Sequence, residues 1–228
     1  MYFVDKIKLI VLVKIELVYR VINSCFPYRG CVMMYHHITD EYVDDMPCCI
    51  CKVNKFKESV IELSRDHIFI SPLELYQKQK EKVALLTFDD SNMDVFVNAY
   101  PFLKKNNIPF TVFISNEFIG KDGFVGEKEV KEYAADPLVT IGFHTHSHPF
   151  LRGNKRQEWE IMESKSRLEE LIGHKIDVFA YPYGKLHAVD VKSISVVRNS
   201  GYQLAFGTFN APLTSFSMFF RFFLPRMI

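Results

Sequence analysis

Neither sign of charge dominates this chain: 28 Lys and Arg stand against 27 Asp and Glu in 228 residues, a formal net charge of +1. That balance removes the composition-based grounds for a polyanion-binding surface or an acidic disordered tail, and nucleic acid is not expected as a partner. Internal repeats and low-complexity linkers are missing as well, which leaves one large domain as the expected organisation. At 48% hydrophobic residues it can bury a substantial core. Also lacking is the uninterrupted apolar run of about 20 residues that a membrane-spanning helix needs. Ile7 to Val18 comes nearest, and Lys8, Lys14 and Glu16 break it. No small-residue cleavage site follows a clean apolar core. Residues 1–27 therefore read as an apolar, amphipathic N-terminal segment before a domain at 28–228. It is expected to pack on that domain or, through residues 1–22, to touch a membrane surface peripherally. A cytoplasmic or membrane-associated location follows from that reading. The five cysteines, at 25, 31, 48, 49 and 51, are an odd, crowded set with no second pair at finger-like spacing. Reduced thiols are expected, because neighbours such as Cys48 and Cys49 do not bridge easily.

What the chain does contain is an alternation of short β-rich apolar runs and longer amphipathic ones. Strands are expected at Cys31–Tyr35, Val83–Phe88, Phe110–Ile114, Val139–Phe143, Val178–Tyr181 and Gln203–Phe206, with a last extended stretch near Phe219–Met227. Helices are expected at Lys55–Arg65, Val95–Lys105, Glu127–Ala135, Gln157–Ile172 and Val189–Ser200, with Gly173 as a stop after the fourth. Strand, helix, strand repeated this often implies a mostly parallel sheet. Right-handed crossovers then favour a barrel or a doubly wound sheet.

Two short stretches on that scaffold carry chemistry. Thr87-Phe88-Asp89-Asp90 ends one apolar run and His144-Thr145-His146-Ser147-His148-Pro149 ends another. In a parallel sheet both would emerge at the carboxyl ends of strands, where sites are built. Adjacent carboxylates leave a strand in different directions, so one can bind a metal while the other faces a water. Taken alone, the Asp pair would be as natural in a turn or helix cap. Three histidines in five residues are hard to explain by packing. If the segment turns, His144 and His148 face together and His146 points away; if it stays extended, all three share a face. The turn is the expectation. His67 and His174 lack such neighbours and read as core residues.

With these motifs in hand, the chain resembles the polysaccharide deacetylases of the NodB-homology type. Their Thr-Phe-Asp-Asp-Gly motif is similar to Thr87-Phe88-Asp89-Asp90-Ser91, their His-Ser/Thr-x-x-His motif to His144-Thr145-His146-Ser147-His148, and a third motif to Phe179-Ala180-Tyr181-Pro182-Tyr183-Gly184. Pro101-Phe102-Leu103-Lys104-Lys105, Pro109-Phe110-Thr111-Val112-Phe113 and Met34-Tyr35-His36-His37 extend the likeness from about residue 30 to the end. The resemblance implies an α/β fold, a distorted (β/α) barrel, and removal of N-acetyl groups from a glycan of the N-acetylglucosamine type. It further implies a divalent metal, most often zinc, on Asp90, His144 and His148, with Asp89 as general base and the backbone N–H of Tyr183 receiving the oxyanion.

The chain departs from the widespread pattern in places. Tyr181 stands where an Arg is usual before the Pro, no histidine follows His187, and Ser91 replaces a glycine. A branch resembling the poly-N-acetylglucosamine deacetylases takes its acid histidine from an early Tyr-His strand. On that likeness His36 is the candidate acid, with His37 as the less favoured alternative. Arg226, which ends the strand-like Leu224-Pro225-Arg226 segment, is the candidate to orient Asp89 in place of the missing Arg. Two other readings stand beside this one: a non-catalytic carbohydrate-binding relative, and another metal amidohydrolase that uses His144 and His146. Phe150, Tyr183 and Phe209 are candidates to stack on sugar rings, although 21 Phe make core packing the default for most.

Overall fold

The computed structural model describes residues 17–41, 43, 49–78 and 80–228. Residues 17–24 are helical (α1), and the chain then enters β1 (Tyr28–Tyr35). A short pair, β2 (His37–Ile38) and β3 (Ile50–Cys51), precedes α2 (Val53–Leu63), β4 (Ile68–Phe69) and β5 (Val83–Phe88). Next come α3 (Tyr100–Lys105), β6 (Phe110–Ile114), α4 (Glu127–Ala135), β7 (Val139–Phe143), α5 (Lys165–Ile172), β8 (Val178–Ala180), α6 (Val191–Asn199), β9 (Leu204–Phe206) and β10 (Leu213–Thr214). Spatial order in the main sheet is β10-β1-β5-β6-β7-β8-β9, with β4 on the lower half of β5. In this sheet, among the described residues, only β10 runs antiparallel. β5 and β6 are buried at every position, which is why they read as continuous apolar runs with no alternation.

The sheet curls, and the segment 221–227 spans the gap between its ends. Gly207 N–H donates to the Leu224 carbonyl and Leu224 N–H to the Ala205 carbonyl on one side. Met34 N–H donates to the Met227 carbonyl and Met227 N–H to the Val32 carbonyl on the other. One set of alternate strand residues therefore points inward. Val32, Leu85, Phe113, Val178, Ala180, Leu204, Phe206 and Leu224 form this inner cluster, and a larger one packs between sheet and helices. Gly142 belongs to the inner face: a Cβ there would collide with the Phe113 ring.

The expected strands occur, with β1 starting earlier than expected, and three details differ. The extended stretch expected over Phe219–Met227 begins with a 3-10 turn at Ser217–Phe220 and becomes strand-like only at its end. The expected helices at Val95–Lys105 and Gln157–Ile172 each begin with a π-helical turn, at Val95–Ala99 and Trp159–Glu163. Pro101, which has no N–H to give the ladder, accounts for the first. His174 is exposed, not core, and His67 sits between Asp66 and the Tyr28 hydroxyl, at 2.6 Å from each. Cys25, Cys31 and Cys51 are free thiols, while Cys48 lies outside the described residues.

Of the N-terminal segment, residues 1–16 lie outside the described residues. α1 packs on the domain through Tyr19, whose ring meets Phe209, Phe216 and Phe220, and through Asn23, whose amide donates to the Pro212 carbonyl at 3.0 Å. Among the described residues no helix is long and apolar enough to cross a membrane.

β1 tolerates no side chain at its first contact with β5. Gly30 has φ 147°, and a Cβ would strike the carbonyl oxygen of Val83, which is backbone and cannot give way. Gly30→Ala is expected to lower the unfolding free energy by about 2 kcal/mol or more, against about 1 kcal/mol for Gly120→Ala. Gly120 also has positive φ but opens onto free space. Urea denaturation of the two variants checks the difference.

Candidate metal centre

Inward alternation along four strands of the curled sheet explains how distant motifs meet. On the first, residues 32, 34 and 36 share a face; on β5 and its extension, residues 85, 87 and 89 do; beyond β7, His144 follows Gly142; in the closing segment, Arg226 follows Leu224. The ladder runs past the end of β5, since Asp89 N–H donates to the Tyr35 carbonyl at 2.9 Å. The chain then turns sharply, with left-handed backbones at Asp90 (φ 67°) and Ser91 (φ 59°). Positive φ at Ser91 is the conformation for which the usual glycine suits this position. Here the strain is accepted, and the Ser91 hydroxyl bonds the Asp90 carbonyl.

Asp90, His144 and His148 offer ligand atoms that all lie within 4.8 Å of one another. Asp90 Oδ1 is 3.6 Å from His144 Nε2 and 3.4 Å from His148 Nε2. His144 Nδ1 lies 2.8 Å from the Ala180 carbonyl and must donate to it, so Nε2 presents a lone pair toward Asp90. Asp90 Oδ1 is buried with no hydrogen-bond partner among the described residues. A carboxylate oxygen and an imidazole lone pair facing each other without a proton repel, and a cation among them reverses the sign. The donor set and its orphaned oxygen thus fit a divalent ion of the kind imidazole and carboxylate ligands hold.

Asp89 lives in a different environment. Arg226, wholly buried, grips both of its oxygens, with Nη1 2.6 Å from Oδ1 and Nη2 2.7 Å from Oδ2. The same guanidinium donates to the Gly207 carbonyl and the Thr87 hydroxyl at 2.9 and 3.3 Å. Burial pushes the Asp89 carboxyl up, but Arg226 and then His144 outweigh it and hold the group well below the usual carboxylate range. Burial, aided by the charge of Asp89, raises Asp90 to about 6 against the pull of His36. Burial lowers His144 to about 3 and also lowers His148, keeping both imidazoles neutral. Two adjacent carboxyls are thereby driven apart, one fixed as an anion by its own cation and the other left in want of one.

The early histidines separate by geometry. His36 Nε2 lies 4.0 Å from Asp90 Oδ2, at the rim of the cluster. His37 turns away, its Nδ1 2.7 Å from Asp94 Oδ2. Tyr183, at φ 59°, sets its ring 4.8 Å from that of His148 and stacks on Phe150 at 4.1 Å. His146 does not join the cluster: it faces Glu117 at 3.7 Å and packs edge-on to Trp159. The segment turns, as expected, although by left-handed residues at Thr145 (φ 69°) and His148 (φ 55°) and not by a helical turn. Phe209 packs on Phe223 and Tyr19 in the wall of the domain. Two polar residues beside the His segment escaped the sequence reading, Asn116 and Glu160, both buried. For Glu160 a signal existed, since it falls on the inward stripe of its helix with Gln157, Ile161, Ser164 and Leu168.

Comparison with known proteins agrees with this architecture. A Staphylococcus aureus protein, poly-beta-1,6-N-acetyl-D-glucosamine N-deacetylase, is 29% identical over 185 residues, 72% of this chain and 62% of that protein. YxkH of Bacillus subtilis (strain 168) is 31% identical over 134 residues, 58% of this chain and 47% of that protein. The chain thus spans roughly half to three-fifths of the length of these relatives. Among solved structures, a polysaccharide deacetylase from Bacillus cereus superposes with a TM-score of 0.78 at 22% identity, covering 87% of this chain and 64% of that one. IcaB from Ammonifex degensii gives 0.73 at 23% identity, covering 89% and 92%. Likeness at this identity establishes a shared fold. The family described as polysaccharide deacetylase matches residues 76–205, a stretch that takes in the Asp pair, the His segment and the Tyr-Pro-Tyr-Gly turn, and this chain belongs to that family.

Proposed function

We propose that the protein is a metal-dependent N-deacetylase that hydrolyses the acetamide of an N-acetylglucosamine-type glycan. The observation that carries this reading is the convergence of Asp90, His144 and His148 around an orphaned carboxylate oxygen, beside an Asp that ligates nothing and is held ionised by Arg226. Asp90, His144 and His148 would hold the cation, and zinc suits two imidazoles and a carboxylate. When bound, such an ion acidifies a water and polarises the acetamide carbonyl.

The remaining steps belong to the chain. Asp89, ionised at neutral pH, accepts a proton from the attacking water as its oxygen bonds to the acetamide carbon. Arg226 fixes the direction of that carboxylate by binding both oxygens. The N–H of Tyr183 donates to the carbonyl oxygen as it gains charge. His36 gives a proton to the nitrogen as the C–N bond breaks, releasing acetate and a free amine. The exposed pair Phe150 and Tyr183, 49% and 48% accessible and parallel to within 5°, offers a flat apolar face beside His148 for a sugar ring.

Metal content and acetate release from N-acetylglucosamine oligomers test the division of labour. Asp89→Asn is expected to keep the metal and lose turnover by ~10²-fold or more, whereas Asp90→Ala loses both. Equal metal loss in the two variants would overturn the assignment, as would turnover that survives a chelator. Arg226→Met leaves Asp89 buried without its cation and is expected to cost about 3–5 kcal/mol in urea denaturation at neutral pH. Phe150→Ala is expected to raise KM for oligomers several-fold with kcat nearly unchanged, read in steady-state kinetics.

A further inference from the structure

The segment that carries both imidazoles is short, makes two left-handed turns at residues with side chains, and needs something to hold it. Part of the support is local: Thr145 Oγ1 accepts His148 N–H at 3.1 Å. Part comes from the neighbouring strand end, where Ser115 Oγ donates to the His144 carbonyl at 2.8 Å and Glu117 N–H to the His146 carbonyl at 2.9 Å. At the middle of the segment, between the two histidines, stands Glu160. Its Oε2 accepts the N–H groups of His146 and Ser147 at 3.1 and 3.0 Å, and its Oε1 accepts the Ser147 hydroxyl at 2.8 Å. The residue is 3% exposed. Burying a carboxylate costs free energy that an ordinary surface turn would not require, and here neutral donors of one segment offset it.

The helix that delivers Glu160 is itself irregular. Ser164 N–H reaches back to the Trp159 carbonyl at 3.0 Å, five residues away, which makes the turn Trp159–Glu163 a π-helix. Asn116 then donates to the Ser164 carbonyl at 2.7 Å, beneath the same segment. A π turn carries one more residue per turn than an α turn and changes which side chains share a face, and such turns recur at functional sites. Here both Glu160 and Ile161 are buried.

We propose that Glu160 is the positioning residue of the metal centre: it touches no ligand atom and holds residues 146–147 so that His144 and His148 converge on Asp90. The proposal rests on the reading of those three residues as metal ligands. In chemical terms Glu160 sets metal affinity, not the reaction. Outer contacts of this kind are worth 10–100-fold in metal binding in other sites.

The test measures zinc affinity by competition with a chromophoric chelator, for wild type, Glu160→Ala, Glu160→Gln and Ser147→Ala, with far-UV circular dichroism and metal-free thermal midpoints alongside. Glu160→Ala is expected to bind zinc at least about 10-fold more weakly. Glu160→Gln recovers most of that loss, because one amide oxygen still accepts the backbone N–H groups and the amide NH₂ can donate to the Ser147 hydroxyl. Ser147→Ala, which removes one bond, loses less than Glu160→Ala. Turnover of Glu160→Ala returns toward the wild-type kcat at saturating zinc. Unchanged affinity in Glu160→Ala with a lowered metal-free midpoint would reduce Glu160 to a structural residue and overturn the proposal. So would a kcat that saturating zinc fails to restore. If Glu160→Ala does not fold, Ser147→Ala and Glu160→Gln decide, and wild-type affinity in both overturns it. A wild-type protein that binds no divalent ion would instead sink the metal reading on which the proposal stands.

Discussion

A guanidinium with no exposed surface ties the closing segment to two strands of the curled sheet. Arg226 reaches from that segment to Thr87 in β5, to Asp89 just beyond it and to Gly207 beyond β9, and each contact is a charge-assisted hydrogen bond in a dry interior. Removing either charge alone would leave the other buried and unpaired, so the pair is kept together by the cost of separating it. The barrel's closure and the state of Asp89 are thus one fact seen from two sides. Without segment 221–227 the inner face would open to water beside Val32 and Phe206, and Asp89 would lose the partner that holds it ionised.

Around that pair the backbone is bent where the chemistry is concentrated. Non-glycine residues with left-handed φ include Asp90, Ser91, Thr145, His148 and Tyr183, and all of these belong to the three motifs that meet at the cluster. Each costs conformational free energy that the surrounding hydrogen bonds and packing offset. What the strain achieves is direction. It turns a chain leaving the end of a strand so that Asp89 and Asp90 diverge, and so that His144 and His148 face each other across His146.

Much of this was legible in the sequence because it is periodic. The buried runs Val83–Phe88 and Phe110–Ile114 announce central strands, and the motifs at their ends locate the carboxyl edge of the sheet. Less visible were features without a period. Both π turns lie inside stretches whose spacing reads as continuous α-helix, since each spans five residues, too short a run for its altered facing to register in the apolar pattern. The short strands β2, β3 and β10 hold two residues each, too few for a pattern. Glu160 was hidden by the habit of assigning charges to solvent, although its place on an inward stripe told otherwise. The choice between His36 and His37 depends on a single-residue register, which only the pairing of Gly30 with Val83 and Tyr35 with Phe88 fixes.

The partners Arg226 and Asp89 are 137 residues apart in the chain. A contact so distant in sequence cannot be made by any local segment and exists only where the tertiary fold brings its two halves together. In the unfolded chain Asp89 is a hydrated, ordinary acid. Its special electrostatics therefore belong to the sealed sheet and not to the motif, whose letters alone do not supply the dry, polarised environment that gives it its power.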